Sequence, residues 1–185
     1  LRAAAFAARW KAIQSDQLLP SGQTYTANLG DGGNRGVELE ARYSDGGWTW
    51  TGALLVNGPE FTRLDAMAGA DLALAGVPDL AGSVGLRRAW DVGAGRAELA
   101  ATVGYVGASR LTFGPSLQPR MGDYVTSRLD LSWRTGAWRT AASVDNLAGS
   151  RGDTFAYGNP FNLRAAPQAT PQRPRTVGLE ITRSF

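Results

Sequence analysis

Cysteine and histidine are both absent from the 185 residues. That excludes disulfides, thiolate metal sites, cysteine nucleophiles and the imidazole that most general bases use. No uninterrupted apolar run approaches the roughly 18 residues of a membrane-crossing helix, although 43% of the chain is hydrophobic. If such a chain enters a membrane, it must do so as strands. Charge of one sign is also scarce: 19 basic residues face 16 acidic ones, dispersed rather than gathered into the stripe that nucleic-acid binding favours. No carboxylate pair or serine constellation stands out, so neither an enzyme nor a resident metal or cofactor is expected. A cleavable hydrophobic leader is missing, and residue 1 already lies in a strand-like pattern, so a piece of a longer protein is expected.

What is abundant is glycine, at 24, accompanied by six tryptophans. Between turn signals, apolar residues recur at period two in eight segments: residues 2–14, 34–43, 48–56, 80–90, 97–107, 124–134, 138–146 and 175–185. Most have about the 9 to 11 residues of a tilted membrane-crossing strand. The connections alternate in length. Residues 15–33, 57–79, 108–123 and 147–174 form long ones, and 44–47, 91–95 and 135–136 short ones. Alternation of this kind sorts periplasmic turns to one rim and extracellular loops to the other. The fold class expected is all-β, an antiparallel up-and-down transmembrane β-barrel segment.

Within the segments two faces separate. Val37, Leu39, Ala41 and Tyr43 alternate with Glu38, Glu40 and Arg42, and Val177, Leu179 and Ile181 alternate with Thr176, Glu180 and Thr182. A soluble half-buried sheet shows this too. The tryptophans favour a membrane: Trp48, Trp50, Trp90, Trp133 and Trp138 all flank the short turns, and Phe185 joins them. A girdle at one interface has that arrangement, whereas a sandwich core does not confine tryptophan to one end of every strand. Arg88 and Arg183 fall on the apolar face near this rim, where an arginine costs about 0–1 kcal/mol rather than the roughly 2–4 of the midplane. The polar face is expected to carry Arg9, Lys11, Glu38, Glu40, Arg42, Arg87, Glu98, Arg128, Asp130, Arg134, Arg139, Asp145 and Glu180. Cross-strand pairs such as Lys11 with Glu38 and Asp130 with Arg139 would neutralise it.

Several stretches resemble the TonB-dependent outer-membrane receptors, active transporters for ferric siderophores and other large nutrients. AAAFAARWKAIQSDQL (residues 3–18) looks like the family strand ending W/Y-K-x-I-Q, and ANLGDGGNRGVELEARY (27–43) is similar to its G-V-E-L-E segment, reached at Gly36. VPDLAGSVGLRRAW (77–90) resembles the strand after a long external loop. VDNLAGSRGDTFAYGNPF (144–161) with RPRTVGLEITRSF (173–185) looks like the closing hairpin, for which P-R-T-x-G-L-x-L-x-Y-x-F is common. Two departures stand out: Arg183 replaces an aromatic, and Ala148-Gly149 stands where F-D usually follows N-L.

The resemblance implies that residues 1–185 are the C-terminal portion of a barrel of about 22 strands, with the plug domain and TonB box outside them. It implies a Gram-negative outer-membrane receptor that takes up a ferric siderophore or similar nutrient by TonB-coupled transport. Its partners would be lipopolysaccharide, the TonB complex through the missing N-terminal part, and the barrel-assembly machinery. Val177, Leu179, Ile181 and Phe185 would be the assembly signal. The long loops suggest a surface for an anionic aromatic ligand, built from Arg110, Arg120, Arg151 and Arg164 with Phe155, Tyr157 and Phe161; a solvated loop meeting lipopolysaccharide phosphates is the plainer reading. The alternative from another class is a small structural or adhesive barrel, in which the eight strands close on themselves.

Overall fold

The computed structural model describes residues 1–19, 21, 23–65, 74–110, 120–155 and 169–185. Every regular element described is a strand: β1 (Arg2–Leu18), β2 (Thr24–Asp45), β3 (Trp48–Leu64), β4 (Leu80–Val92), β5 (Gly95–Val106), β6 (Ser109–Arg110), β7 (Arg120–Met121), β8 (Tyr124–Thr135), β9 (Trp138–Asp145), β10 (Asp153–Phe155), β11 (Thr170–Pro171) and β12 (Thr176–Arg183). Eight of them form one antiparallel sheet in the order β1-β2-β3-β4-β5-β8-β9-β12. Each pairs with its neighbour in the chain, apart from the short loop strands in between. No pairing joins β1 to β12 among the described residues. Closure of these eight strands into a small barrel is therefore not what the pairing shows.

Three two-residue turns make the tight rim. Gly46 and Gly47 both take positive φ, 53° and 83°, the combination a type I′ hairpin requires and a β-carbon opposes. Gly93 and Gly136 supply the single positive φ, 57° and 52°, of the other two turns.

At the opposite rim the strands run further than the sequence pattern suggests. The connection expected over residues 15–33 is mostly strand, because β1 continues to Leu18 and β2 begins at Thr24; likewise β3 continues through residues 57–64. Pairing of β3 with β4 stops at Val56 opposite Leu80, whereas its pairing with β2 continues to Leu64 opposite Gly30. β1, β2 and β3 thus project beyond the rest of the sheet. Gly30, Gly32 and Gly33 of LGDGGNRG fall in the expected loop, yet they sit in the ladder, and there and at Gly36 of the expected strand neighbouring groups occupy the space of a missing β-carbon. At Gly36 a β-carbon would lie 2.5 Å from the Val56 carbonyl oxygen and 2.7 Å from the Phe6 ring. The register of β1 with β2 breaks between Trp10 and Gln14, and Ala12 takes a φ of 51° there.

Register carries side-chain parity across the whole sheet. Val37, Leu39 and Tyr43 lie opposite Val56, Leu54 and Trp50. Trp50 and Val56 lie in turn opposite Leu86 and Leu80. The row ends on Leu129, Leu131 and Trp133, then Val144 and Ala142, and finally Val177 and Leu179. Nothing described covers this apolar side: Val84 is 60% exposed, Leu131 48% and Leu179 74%. The buried apolar residues that pack together, Leu29, Phe61 and Leu74, with Ile13 and Leu64 against them, lie instead in and beside the projecting part. The molecule is thus a single-layered sheet whose greasy face has no partner within the described chain, and whose small core sits above it.

A Gly36→Val substitution should lower the yield of folded, heat-modifiable protein, since overpacking of this kind costs about 1–3 kcal/mol. Gly58→Ala, whose β-carbon would meet nothing within 4 Å, should leave that yield unchanged on the same gel.

Candidate functional site

The charged row occupies the other side of the sheet. Arg128 holds Asp130 and Asp145, each at 2.6 Å, Arg139 holds Glu180 at 3.0 Å, and Arg87 holds Glu98. These partners are cross-strand or two residues apart on one strand, as the pleat dictates. Two expected pairs are not formed. Asp130 is taken by Arg128 rather than Arg139, and Lys11 is remote from Glu38, which lies opposite Ala4. Arg9 is also on the other side from its expected place. It lies opposite Gly33, in the row of Ala3, Ala5 and Ala7, which meets Leu39 and Val37. The alanine-rich start of β1 has no charge alternation of its own, so its phase is set by β2. Exposed pairs of this kind are individually worth about 0–1 kcal/mol. Together they make a compensated, wettable wall.

At the long-loop rim the connections are tied to one another. Gly76 N–H donates to the Arg110 carbonyl at 2.7 Å, Gly122 N–H to the Asp153 carbonyl at 2.9 Å, and Gln172 N–H to the Gly152 carbonyl at 2.8 Å. Asn57, buried, donates its side-chain amide to the Pro78 carbonyl at 2.9 Å. Asn146, also buried, donates to the Ser150 and Arg173 carbonyls and accepts from Ser150 N–H, all at 2.9 Å. Its φ of 51° suits asparagine better than most residues. Gly152 is required by Tyr124, whose β-carbon would lie 2.1 Å from an added one. In the projecting part, Asp31 accepts from Arg63 Nε and from Ala12 N–H, both at 3.0 Å.

On this platform β6 and β7 place Arg110 opposite Arg120. Both line a cleft of about 320 Å³ with Asp79, Val77, Leu74 and Pro59. The two cations that the sequence separates by ten positions are brought together, and Asp79, which sequence reasoning left out, shares their cleft. Arg151 is exposed on the neighbouring connection. Phe155 lies in β10 opposite Thr170, while Tyr157, Phe161 and Arg164 lie outside the described residues. At the other rim Trp48, Trp50, Trp90, Trp133 and Trp138 share the apolar row, and Trp48 stacks on Trp50 at 6.2 Å. Asn146 and Asn57 are the structural residues that pattern reading missed. Asn146 belongs to the D-N-L run of the resemblance, whereas nothing around Asn57 marks it.

Asn146→Ala leaves Ser150 N–H and two carbonyls unpartnered, each worth about 1–3 kcal/mol when buried. Limited proteolysis should then cut the 147–175 connection faster, with the sheet intact. The Arg63 guanidinium first, and then the Ala12 amide, hold the Asp31 carboxyl below its ordinary value of 3.8. Its contribution is thus complete above that value and is lost as pH falls through the lower, folded-state one. Pepsin should open the projecting strands progressively on acidification, and Asp31→Asn should expose them to trypsin already at neutral pH.

A family model described as TonB dependent receptor-like, beta-barrel, matches residues 1–147. The matched span ends just inside the first of the two stretches, 144–161 and 173–185, that carry much of the sequence resemblance. Among curated proteins nothing matches. Solved structures cover the chain nearly end to end. The ferric yersiniabactin uptake receptor FyuA from Yersinia pestis matches with 26% identity and a TM-score of 0.80 over 99% of this chain and 27% of its own. BauA, the ferric preacinetobactin receptor from Acinetobacter baumannii, shows 17% identity and a TM-score of 0.73 over 99% and 27%. The copper transporter OprC shows 19% identity and a TM-score of 0.65 over 99% and 28%. The chain therefore spans little more than a quarter of each of these structures. With eight strands in register, two segregated faces and a family match over most of its length, the chain belongs to the TonB-dependent receptor β-barrel family.

Proposed function

We propose that this chain forms closing strands in the barrel of a Gram-negative outer-membrane receptor that takes up a ferric siderophore, or a similarly large nutrient, by TonB-coupled transport. The observation that carries the reading is the likeness of the whole sheet to the ferric-siderophore receptor FyuA, at 26% identity over 99% of the chain. The physics of the sheet supports it. A single layer with an uncovered apolar row is untenable in water, where such a face seeks a partner. A barrel wall meets lipid with that row and meets water or a plug with the charged one. The ferric siderophore is cargo, and no resident cofactor or catalytic step is assigned to this chain.

Ligand capture is assigned to the long-loop rim. The paired Arg110 and Arg120, with Arg151, Arg164, Phe155, Tyr157 and Phe161 from the last long connection, offer cations and aromatic surface to an anionic, aromatic ligand. The hydrogen bonds lacing these connections limit the ordering cost of binding. Energy coupling is assigned to the TonB complex through the portion of the receptor outside this chain, and assembly to recognition of Val177, Leu179, Ile181 and Phe185. Lipopolysaccharide would meet the projecting strands, where Arg9 and Arg35 share the outward row.

In the full-length protein, Arg110→Gln with Arg120→Gln should weaken binding of an anionic ferric siderophore about tenfold or more, given roughly 1.5–3 kcal/mol per charge-assisted hydrogen bond. Surface expression should not change. Radiolabelled-iron uptake should also vanish in cells lacking TonB. Uptake that persists without TonB would overturn the transport reading, and unchanged affinity in the double variant would overturn the assignment of the site.

A further inference from the structure

The short-turn rim carries two arginines on the apolar row, and both occupy the same kind of seat. Arg88 lies opposite Trp48 of β3 and two residues before Trp90 on its own strand, β4. Its guanidinium carbon is 4.5 Å from the centre of the Trp48 ring and 5.7 Å from that of Trp90. Arg183 lies opposite Trp138 of β9 and two residues before Phe185. The corresponding distances are 5.4 Å to Trp138 and 5.2 Å to Phe185. Each arginine thus has one aromatic across the ladder and one two positions further along the chain. The repetition on strands far apart in the sheet order argues for a common use.

Neither guanidinium makes a salt bridge among the described residues, although carboxylates are close in sequence. Glu98 is taken by Arg87, Asp91 faces Arg96 at 3.7 Å, and Glu180 is taken by Arg139. All three of those contacts belong to the charged row or the turn. Asp45 shares the apolar row but lies across Trp48 from Arg88. A stacked guanidinium uses its π face on the indole and keeps its in-plane N–H fork for an oxygen acceptor. The acceptor geometry that suits such a fork is a carboxylate or a phosphate, and here no carboxylate of the described chain is offered.

We propose that Arg88 and Arg183 form two phospholipid headgroup sites on the outer wall of the barrel at its short-turn rim. Each grips the phosphodiester of an anionic phospholipid in the adjacent leaflet, while its aromatic pair holds the guanidinium at headgroup depth. The inference rests on the membrane reading above, and the charge argues for the occupant: a cation at the lipid face without a carboxylate is complemented by a lipid with net negative charge, such as phosphatidylglycerol. It also accounts for Arg183 standing where an aromatic is usual, since the flanking Trp138 and Phe185 keep an aromatic surface at that depth.

The full-length protein, purified from membranes in a mild detergent, tests this by native mass spectrometry with added phosphatidylglycerol, with phosphatidylcholine of the same acyl chains, and with inorganic phosphate. The unaltered protein should retain phosphatidylglycerol in preference to phosphatidylcholine. Arg88→Gln and Arg183→Gln should each weaken retention, and the double variant should weaken it about tenfold. Trp48→Leu with Trp138→Leu, which keeps both charges but removes the stacking partners across the ladder, should weaken it less. No lipid preference in the unaltered protein would overturn the proposal without recourse to any variant. Full retention by a correctly folded double variant would overturn it too, as would displacement by millimolar inorganic phosphate. Recovery of the protein in the soluble rather than the membrane fraction would instead overturn the membrane reading itself.

Discussion

Antiparallel register is the constraint on which the rest of this structure depends. Because side chains alternate at every residue, a pairing such as Tyr43 with Trp50 commits β2 and β3 to matching faces as far as the register shift between Asp31 and Gly32. The commitment passes through β4, β5, β8 and β9 to β12 without a break, so Val177 at the end of the chain lies on the same side as Val37 near its start. A slip of one residue at any ladder would place arginines and glutamates among the valines. Backbone hydrogen bonding supplies the other half of the constraint, since in lipid each N–H and C=O must find its partner within the sheet.

That rule relaxes where the strands leave the shared part of the sheet. β3 loses β4 as a partner beyond Val56, and Asn57 takes up the interrupted ladder through Asp79 and Pro78. Beyond it the projecting strands bury Leu29 and Phe61, both 3% exposed. The chain therefore uses two solutions to one problem: its apolar row is left for an outside partner at one level, and a small core is gathered at the next. The bulge around Ala12, held by the Asp31 carboxylate, marks the change between them.

The two rims differ for related reasons. Tight turns need only glycine at a few positive φ positions and leave the flanking tryptophans to set depth. Among the described residues the long connections have no ladder of their own beyond β6–β7 and β10–β11, and they depend on side-chain clamps such as Asn146. Their hydrogen bonds are non-local: Asn146 reaches Arg173 across 27 positions. A clamp of that span has no periodic signature.

The tight turns, the strand phases of the sheet from β2 onward and the rim holding the tryptophans were legible in the sequence, because each depends on residues one or two positions apart. Glycine misled where it stood in a strand: residues 30–33 have the composition of a loop, yet they pair, with Ile13 taking the vacant space above Gly32. Arg9 misled because three alanines and a phenylalanine carry no phase of their own. By itself the sequence determined the alternation and its punctuation, which are local steric facts of the chain. Only the tertiary structure decided which residues meet: Arg110 with Arg120, Arg88 between two indoles, and Arg128 with Asp145 on the next strand as well as with its near neighbour Asp130. Those contacts depend on how far each strand runs before it loses its partner, a quantity set by the whole sheet and written in no single segment.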